Sequence, residues 1–346
     1  MVDKYLSTNI VVLVLNWQTW QETIACLASL QQLVQPVRIV VCDNASTNDS
    51  VAEIKAWAAQ HYTDTDITLI NNKNEAVNTS NVLLTAFTLI ETGGNLGFAG
   101  GNNIGLQHIL LSREIDYVWV LNNDTVVDKY AIQQLSQHMD NDENIAILGS
   151  TVAEYDHPDR IEAAGGCHYS PLLTRVSNHL QGHSVKAVCA QPPAVQLDYV
   201  YGAAMFIRTQ VLEKVGLLNE EYFLFYEELD YTQRIKKYHY QIAWCPQSIV
   251  YHKGGASIGG RGQNKEKLKF ATYYETINTL RFTANFYPLL LPAVAILRLS
   301  LKMLFLAFRR HFFLLPTLIT AYSHFLYELI TKKNGKHLKN NNKNKK

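Results

Sequence analysis

Cysteine is scarce in this 346-residue chain, and none of its five cysteines belongs to a C-x-x-C pair. This absence argues against a disulfide framework or a zinc knuckle and suits a reducing compartment, of which the cytosol is the default. We also predict no signal peptide, because Asp3 and Lys4 precede a short apolar run that is better explained as a first strand. An apolar content of 47% is ample for one large domain or two small ones.

A dinucleotide-binding fingerprint is also missing. The glycine-rich segment NLGFAGGNNIG, residues 95–105, fails the G-x-G-x-x-G pattern because Ala99 stands where the second glycine is required. The segment also precedes its strand instead of following one, which argues against a dehydrogenase. Two interpretations stay open: a flexible turn before a helix, or a backbone path that passes close to a ligand.

Acidic residues are nearly absent from the C-terminal part of the chain. From Arg281 onward, 12 lysines and arginines face one acid, Glu328, whereas the preceding residues include 19 basic and 29 acidic side chains. The residues before Arg281 are therefore acidic overall, and the C-terminal segment from Arg281 onward is basic. We expect the two parts to meet different partners, none of them a nucleic acid.

What the chain does contain is an alternation of strand and helix patterns. The run IVVLVL, residues 10–15, is apolar throughout, as expected of a strand buried on both faces of a parallel sheet. A helix at 19–33 and a second strand ending at Asp43 complete a βαβ start. We predict further helices at 51–60, 209–215 and 227–238, further strands at 67–70, 199–208, 240–246 and from Tyr117, and a hairpin-like insertion in the 25 residues after the third strand. The expected fold is α/β, doubly wound in its first half and mixed in its second.

Two aspartates, Asp43 and Asp124, directly follow predicted strands. Ligands of open α/β sheets gather at the carboxyl ends of the strands. Asp124 closes the polar triplet that begins at Asn122, and its carboxylate is suited to a hard cation that bridges two phosphates. The alternative is an ordinary helix-capping or turn residue.

Three acidic residues, Glu227, Glu228 and Asp230, follow the aromatic segment FLFY. On a helix, Glu227 and Asp230 are i,i+3 neighbours, whereas Glu228 points about 100° away from Glu227. Acidic residues in a first turn often only complement the helix dipole. The functional alternative is a carboxylate general base, whose proton affinity the apolar neighbours raise.

His252 ends a short strand in SIVYHKGGAS, residues 248–257. A lone histidine is more often structural than a ligand. Its position at a strand end nevertheless matches that of Asp124, and a neutral imidazole can complete a Mn²⁺ or Mg²⁺ shell.

Taken together and in order, six segments resemble the inverting glycosyltransferases of family 2, with the closest likeness to the rhamnosyltransferase-like and galactofuranosyltransferase-like branch. They are IVVLVLNW, VVCDNASTNDS, NLGFAGGNNIG, VWVLNNDT, YGAAMFIRTQVLEKVGLLNEEYFLFYEELDYTQR and SIVYHKGGAS, and they cover residues 8–260. The resemblance implies a GT-A fold, a Rossmann-like doubly wound mixed sheet that binds a nucleotide diphosphate sugar.

The resemblance also implies roles for individual residues. Nucleotide-sugar binding falls to Asp43, Asn44, Asn95, Gly97, Asn122, Asn123 and Asp124. Asp124 and His252 would hold Mg²⁺ or Mn²⁺, Glu228 would be the general base with Glu227 as the alternative, and Gly202 and Asp230 would lie at the acceptor site. Asn219 and Ile277 depart from the family pattern, which commonly has Asp and Arg at these positions.

The C-terminal segment has an amphipathic character. Arg298, Lys302 and Arg309 fall on one helical face, and the uncharged run 312–327 contains Pro316 and is shorter than the ~20 residues of a spanning helix. We expect one or two interfacial helices on an anionic membrane surface, with a buried dimerisation helix or a re-entrant hairpin as alternatives. The expected domains are 1–280, the GT-A domain, 281–333, the membrane-associating helices, and 334–346, a disordered Lys/Asn tail.

These observations favour an enzyme that transfers a sugar, with rhamnose from dTDP-rhamnose as the first candidate. The acceptor would be a growing glycan or lipid-linked glycan at the cytoplasmic face of the bacterial inner membrane, where the protein would be peripheral. Galactofuranosyl or other hexosyl transfer from a UDP donor is the alternative within the class. A non-catalytic sugar-nucleotide-binding scaffold is the alternative outside it, and a scaffold needs none of Asp124, Glu228 and His252.

Overall fold

The computed structural model describes residues 9–71, 84–254 and 264–343, with side chains described as far as residue 331. The chain divides into two compact units. The larger unit contains the described residues 9–71, 84–169, 176–223 and 227–254, and the smaller unit contains residues 170–175, 224–226 and 264–343.

The larger unit begins with alternating strands and helices, and the C-terminal part of the chain is helical. The strands are β1 (Ile10–Asn16), β2 (Arg38–Asp43), β3 (Ile67–Asn71), β4 (Phe87–Glu91), β5 (Tyr117–Asn122), β6 (Thr125–Val127), β7 (Ile145–Glu154), β8 (His157–Ala164), β9 (Gly166–Ser170), β10 (Arg175–Asn178), β11 (Tyr199–Val200), β12 (Ala204–Arg208) and β13 (Gln241–His252). The helices are α1 (Trp20–Leu30), α2 (Ser50–His61), α3 (Gly97–Leu111), α4 (Ala131–Asp140), α5 (Val185–Ala190), α6 (Thr209–Val215), α7 (Glu227–Lys237), α8 (Lys265–Phe286), α9 (Leu291–Arg309) and α10 (Leu315–Lys343).

Ten of these strands form the main sheet of the described chain, in the order β3-β4-β2-β1-β5-β12-β7-β13-β6 with β8 paired to β7. The strands from β3 to β5 are all parallel. Beyond them, β12 runs antiparallel to both β5 and β7, and β13 runs parallel to β7. The expected fold class is confirmed: the first half is doubly wound and the second half is mixed.

Alternate side chains of β1 enter two separate cores, one on each face of the sheet. Ile10, Val12 and Val14 pack with the apolar sides of α1, α2 and α4. Val11 and Leu13 pack with α3, α6 and α7 on the opposite face. The continuous apolar run of β1 is therefore explained by burial on both faces.

Three local predictions need correction. The hairpin-like insertion falls partly on residues 72–83, which lie outside the described residues, and the described part contains a parallel strand, β4, between β3 and β2. The predicted single strand 199–208 is two strands, β11 and β12, because the chain turns at Gly202. The predicted strand 240–246 continues to His252 as β13, across a break in register between Cys245 and Ile249.

The glycine-rich segment is already helical from Gly97 and is not a flexible turn. Glycines recur every fourth residue, at 97, 101 and 105, and so share one face of α3. A Cβ atom on Gly101 would lie 2.6 Å from Leu15 Cδ1, and one on Gly105 would lie 2.9 Å from Cys42 Sγ. The glycines therefore let α3 approach β1 and β2 closely, a packing reason that is independent of any ligand.

The smaller unit has an apolar core of its own. Ile277 and Leu280 of α8 are fully buried and pack with Ala321 and Phe325 of α10. For this reason α8 belongs to the smaller unit, and the predicted boundary at residue 280 falls inside this helix instead of before it. The backbone of α10 is helical through Lys343, so the helix enters the segment 334–346; the expected disorder of that tail stays a prediction.

The basic face predicted for α9 does not lie where we expected it. Arg298 and Lys302 do share a face, but both form ion pairs with Glu275 of α8, the latter at 2.7 Å. Their side chains are only 14% and 20% exposed, so the face is turned towards the rest of its own unit. The exposed side of α9 is apolar, with Ile296, Leu304 and Phe308 exposed by 69%, 67% and 85%.

Two helical stretches in the described residues, Pro288–Arg309 and Phe312–Thr331, are long and apolar enough to cross a membrane. They have 22 and 20 residues, and within their apolar 18-residue windows 11% and 22% of the residues are buried. The second is longer than the uncharged run suggested. Pro316 falls in the first turn of α10 and does not interrupt the helix.

Candidate active site

The carboxyl ends of three neighbouring parallel strands bring the first predicted site residues together. Asn16 at the end of β1 lies opposite Asp43 at the end of β2, and Leu15 lies opposite Asn122 at the end of β5. Asp124 follows immediately. The predicted convergence of Asp43 and Asp124 at one edge of the sheet therefore has its structural basis in this register.

Asp43 is buried, with 1% of its surface exposed. Its Oδ1 accepts hydrogen bonds from Asn16 Nδ2 at 2.7 Å and Ser46 Oγ at 2.6 Å, and its Oδ2 accepts one from the Ser46 backbone N–H at 2.9 Å. These bonds fix the carboxylate at the start of the loop after β2. Because a carboxylate oxygen can accept more than one hydrogen bond, Oδ2 keeps capacity for a further donor.

Asn44 ties this loop to the start of α3. Its Nδ2 donates to Asn95 Oδ1 and to the Gly97 carbonyl, both at 3.1 Å, and its Oδ1 accepts from the Leu96 backbone N–H at 3.0 Å. The side chains of Asn44 and Asn95 thus shape the loop. Gly97 has φ +72°, and a Cβ atom there would lie 2.8 Å from the Phe223 ring, so close packing accounts for this glycine.

The asparagines before Asp124 have different surroundings. Asn123 is 6% exposed, and its Nδ2 donates to the hydroxyls of Thr19 and Thr23 at 2.8 and 2.9 Å, which fastens the β5–β6 turn to α1. Asn122 contributes its carbonyl oxygen, which accepts from the Thr125 hydroxyl at 2.7 Å. Together these bonds hold the turn that presents Asp124.

Asp124 and His252 are in direct contact. His252 Nε2 lies 3.2 Å from Asp124 Oδ1, and the Lys253 backbone N–H donates to the Asp124 carbonyl at 2.9 Å. The contact arises because β13 pairs antiparallel with β6, which places His252 opposite Thr125. Both side chains are largely buried, with 7% of Asp124 and 9% of His252 exposed.

A second carboxylate approaches the same imidazole from the other side. Glu162 Oε2, on β8, lies 2.9 Å from His252 Nδ1, and the Tyr201 hydroxyl donates to Glu162 Oε1 at 2.7 Å. Burial lowers the pKa of His252, but the hydrogen bonds to Asp124 and Glu162 outweigh burial and raise it to about 10. Asp124 Oδ1 and His252 Nε2 therefore face each other, and these two atoms would be the protein ligands of a bound cation.

Glu228 lies beside Gly202, the residue after Tyr201. A Cβ atom on Gly202 would overlap the Glu228 Oε1 atom and would lie 2.7 Å from its Cδ, so the glycine leaves the space that the carboxylate fills. Although part of Glu228 is open to solvent, protein atoms surround it densely. Burial raises the pKa of its carboxyl from 4.5 to about 7, against a smaller opposing effect of a backbone hydrogen bond.

The other two acidic residues of α7 have different surroundings. Glu227 is 2% exposed in the first turn of α7. Asp230, also 2% exposed, accepts from Arg234 Nε at 2.7 Å, and Arg234 Nη2 donates to the Leu217 carbonyl at 2.7 Å. Asp230 is therefore engaged in anchoring the loop before α7, and Glu228 is the only one of these three carboxylates that is partly exposed.

The donor set of the Asp124–His252 pair fits a divalent cation. No group of three or more His, Cys, Asp and Glu side chains in residues 9–71, 84–254 and 264–343 is arranged to hold a metal ion. Mg²⁺, however, is commonly bound by one or two protein ligands plus substrate phosphates, and an imidazole suits Mn²⁺. A hydrogen bond from a ligating histidine to a second carboxylate, here Glu162, is the usual support of such a ligand.

Glu162 and Tyr201 are the site residues that the sequence analysis missed. They lie 90 and 51 positions before His252 in the chain, in segments without a polar strand-end pattern. Only the pairing of β8 and β13 with β7 brings Glu162 to the imidazole.

Solved structures share this architecture. A mannosyltransferase from Pyrobaculum calidifontis, PcManGT in complex with GDP-Man and Mn²⁺, matches with a TM-score of 0.52 at 15% identity, covering 92% of this chain and 87% of that one. GalNAc-T7 with UDP, GalNAc and Mn²⁺ matches with a TM-score of 0.55 at 11% identity, covering 78% and 50%. The chain thus has the mixed α/β fold of the GT-A glycosyltransferases. Its sequence matches the family model described as glycosyltransferase-like family 2 over residues 8–271, and the chain belongs to that family.

Two curated relatives have more similar sequences. The low-salt glycan biosynthesis hexosyltransferase Agl10 of Haloferax volcanii is 29% identical over 170 residues, which are 47% of this chain and 50% of that protein. The dTDP-rhamnosyl transferase RfbF of Shigella flexneri is 26% identical over 206 residues, 59% of this chain and 65% of that protein. The chain therefore spans between half and two thirds of the length of the curated relatives it matches.

Proposed function

We propose that the protein transfers a sugar from a nucleotide diphosphate donor to a hydroxyl group of a glycan or lipid-linked glycan, with inversion at the anomeric carbon. The observation that carries the proposal is the chain of contacts from Asp124 through His252, Glu162 and Tyr201 to the Gly202 space that Glu228 fills. A cation-binding pair and a carboxylate with a raised pKa thus belong to one connected group of side chains.

Glu228 has the properties of a general base for this reaction. A pKa of about 7 lets its carboxylate accept the proton of the acceptor hydroxyl near neutral pH. As the hydroxyl oxygen bonds to the anomeric carbon, the bond to the nucleotide diphosphate breaks and its electron pair leaves with the diphosphate. Gly202 leaves room for the carboxylate, and any larger residue at this position would displace it.

Asp124 and His252 would hold Mg²⁺ or Mn²⁺ from the protein side. When bound, the ion would neutralise the charge that develops on the departing diphosphate. Asp43, whose Oδ2 keeps acceptor capacity, would receive an N–H of the nucleotide base. The short bonds that fix Asp43 and the Asn44 loop would keep that contact rigid.

We favour dTDP-rhamnose as the donor, with support from the relative named as a dTDP-rhamnosyl transferase. The relative named as a hexosyltransferase supports the alternative, galactofuranosyl or other hexosyl transfer from a UDP donor. A non-catalytic scaffold that only binds the nucleotide sugar would need neither the Asp124–His252 pair nor a base.

Release of nucleotide diphosphate from candidate donors, measured with the full chain and MnCl₂, tests this proposal. We expect release with at least one donor, its loss in Asp124→Ala, and its retention in Asp64→Asn, a change of an exposed carboxylate outside the site. The scaffold would be favoured if the protein binds a donor saturably but transfers no sugar. The donors to test are dTDP-rhamnose, UDP-galactofuranose and UDP-galactose, with simple sugars and lipid-linked glycans as acceptors. A thermal-shift screen of the same donors would show which nucleotide is bound.

We also propose that the smaller unit attaches the enzyme to the cytoplasmic face of the inner membrane as a peripheral protein. Support comes from the exposed apolar side of α9 and from the cationic ends of its segment, Arg309 and Arg310 before α10 and the lysine-rich residues after 331. Apolar residues would enter the acyl boundary, and the cations would meet anionic headgroups. A homodimer that covers the same apolar side is the alternative.

Co-sedimentation with lipid vesicles distinguishes these cases. For peripheral attachment we expect binding to vesicles with anionic lipid, partial release by high salt, and weaker binding of Phe308→Ser. Arg298→Gln should bind normally, because the Arg298 side chain pairs with Glu275 inside the unit. Release by detergent alone would indicate deeper insertion, and a stable dimer without vesicle affinity would contradict the membrane proposal.

A further inference from the structure

The polar contacts around His252 extend beyond the predicted metal pair. Its imidazole is held at both nitrogens, by Asp124 at Nε2 and by Glu162 at Nδ1, at 3.2 and 2.9 Å. Glu162 is itself held at its other oxygen by the Tyr201 hydroxyl at 2.7 Å. The proposed function uses Glu162 and Tyr201 only as links in a chain of contacts and gives neither of them a part in metal binding or in the reaction.

We infer that Glu162 is a positioning residue for His252: it orients the imidazole so that Nε2 faces the cation site beside Asp124, and Tyr201 fixes Glu162 in turn. This inference rests on the proposed metal-assisted function. Glu162 would act through the ring and not as a ligand, because it contacts Nδ1 whereas Asp124 contacts Nε2.

The physical reason lies in the freedom of an imidazole ring. The backbone at His252 is held by the pairing with Thr125 and by the bond from the Lys253 N–H to the Asp124 carbonyl, but these contacts do not fix the rotation of the ring about its side-chain bonds. A hydrogen bond from Nδ1–H to a carboxylate selects the ring orientation and leaves the Nε2 lone pair for a ligand. It also makes the imidazole a more basic ligand, because the carboxylate stabilises positive charge on the ring.

Tyr201 suits the role of a fixed donor. Its ring is edge-on to the His252 ring, with centroids 6.3 Å apart. Burial, with the nearby Glu162 carboxylate, raises the pKa of Tyr201, so its hydroxyl stays protonated and donates. Since Tyr201 directly precedes Gly202, one turn contains both the residue that holds Glu162 and the glycine that leaves space for Glu228.

Binding of Mn²⁺ in the presence of UDP or dTDP, followed by electron paramagnetic resonance of the free ion, tests this inference without an activity assay. We expect Glu162→Ala to weaken Mn²⁺ binding about 10- to 100-fold, the range for loss of a residue that orients a metal ligand. Glu162→Gln, which keeps an acceptor for Nδ1–H, should recover a large part of the affinity. Tyr201→Phe should cause a smaller loss, because Glu162 would remain with one fewer anchor.

Asp159→Asn is the matched control. Asp159 lies on the same strand, β8, and accepts two hydrogen bonds at 3.0 Å, from the Ser184 hydroxyl and the Lys186 backbone N–H. If this change weakens Mn²⁺ binding as much as Glu162→Ala does, loosening of the strand explains the effect and the inference fails. It also fails if Glu162→Ala binds normally, or if Glu162→Gln is as weak as Glu162→Ala, which would indicate direct ligation.

The failure of the proposed function would look different. In that case the unchanged protein would show no saturable Mn²⁺ binding with either nucleotide, and the inference would fall with it. Circular dichroism and thermal unfolding in EDTA establish that each variant is folded before its affinity is compared.

Discussion

Replacing the proposed base by its amide should remove activity and at the same time stabilise the protein above neutral pH. Burial raises the pKa of Glu228 from 4.5 to about 7, so the folded protein keeps this proton at pH values where the unfolded chain has released it. The associated stability is fully present below pH 4.5 and is lost as the pH rises through about 7. Glutamine cannot ionise, so Glu228→Gln escapes this loss.

The magnitude follows from the size of the pKa change. Each pKa unit corresponds to about 1.4 kcal/mol, which gives an upper limit of about 3 kcal/mol for the difference in free energy of unfolding at pH 8. Because part of Glu228 is open to solvent, we expect roughly half of this limit. For domains of this size about 2 to 4 °C of melting temperature accompany each kcal/mol, so Glu228→Gln should melt several degrees higher at pH 8.

Thermal unfolding between pH 4 and pH 8 measures this difference, and nucleotide release measures activity in the same buffers. The two proteins should have similar melting temperatures at pH 4, diverge between about pH 4.5 and 7, and keep a constant difference above that. The kcat of the unchanged protein should rise as the pH passes about 7, where the folded protein releases this proton. Glu213→Gln, the same substitution at an exposed glutamate on α6, is the matched control in both measurements. A pH-independent gap for Glu228→Gln, or full transfer by this variant, would refute the assignment and direct attention to Glu227.

Three further changes test other parts of the structure. Gly202→Ala should lower kcat by at least about tenfold, because the new methyl group would occupy the space of the Glu228 carboxylate. Gly94→Ala should have little effect, because the nearest atom to a Cβ there would be Leu96 Cδ2 at 3.7 Å. His108→Leu should make the melting temperature less sensitive to acid. Burial lowers the pKa of this histidine below 6.5, and neither ring nitrogen has a hydrogen-bond partner among the described residues, so the unchanged protein loses stability as the pH falls below 6.5. Asn278→Ala should destabilise the smaller unit by about 2 to 3 kcal/mol in thermal unfolding, since its Nδ2 donates to the Leu224 and Phe225 carbonyls at 2.8 and 3.2 Å; unchanged stability would show that the turn does not need these bonds.

The parallel half of the fold was predictable because its strands are buried on both faces. The apolar run of β1, the helix after it and the strand ending at Asp43 follow from patterns within some 35 residues of one another. The same local logic placed Asp43 and Asp124 at the carboxyl ends of strands. Strand β4 was missed, because FTLI continues an apolar run that begins at Val82 after the mostly polar residues 71–81, and no period marks where a strand starts in it.

The mixed half was predictable only in part. Recognising Glu228 and His252 required the family resemblance, since a carboxylate in a first helical turn and a lone histidine each have a common structural explanation. The connection between them depends on β8, which reaches the site by pairing with β7. The Glu162–His252 contact spans 90 positions, and periodicity carries no information at that distance.

The helix α9 shows why charge patterns need tertiary structure before they indicate a partner. A basic helical face is stabilised equally well by an anionic surface outside the molecule and by an acidic residue inside it. Counting charges from Arg281 onward leaves out Glu275, which lies one helix earlier and pairs with both Arg298 and Lys302. With these two cations engaged, the surface that α9 presents is apolar, and its affinity for a membrane should follow buried apolar area more than net charge. Among the cations whose side chains the structure describes, Arg309 and Arg310 follow the apolar side of α9 and are exposed, so these two would meet anionic headgroups if the helix lies on a bilayer.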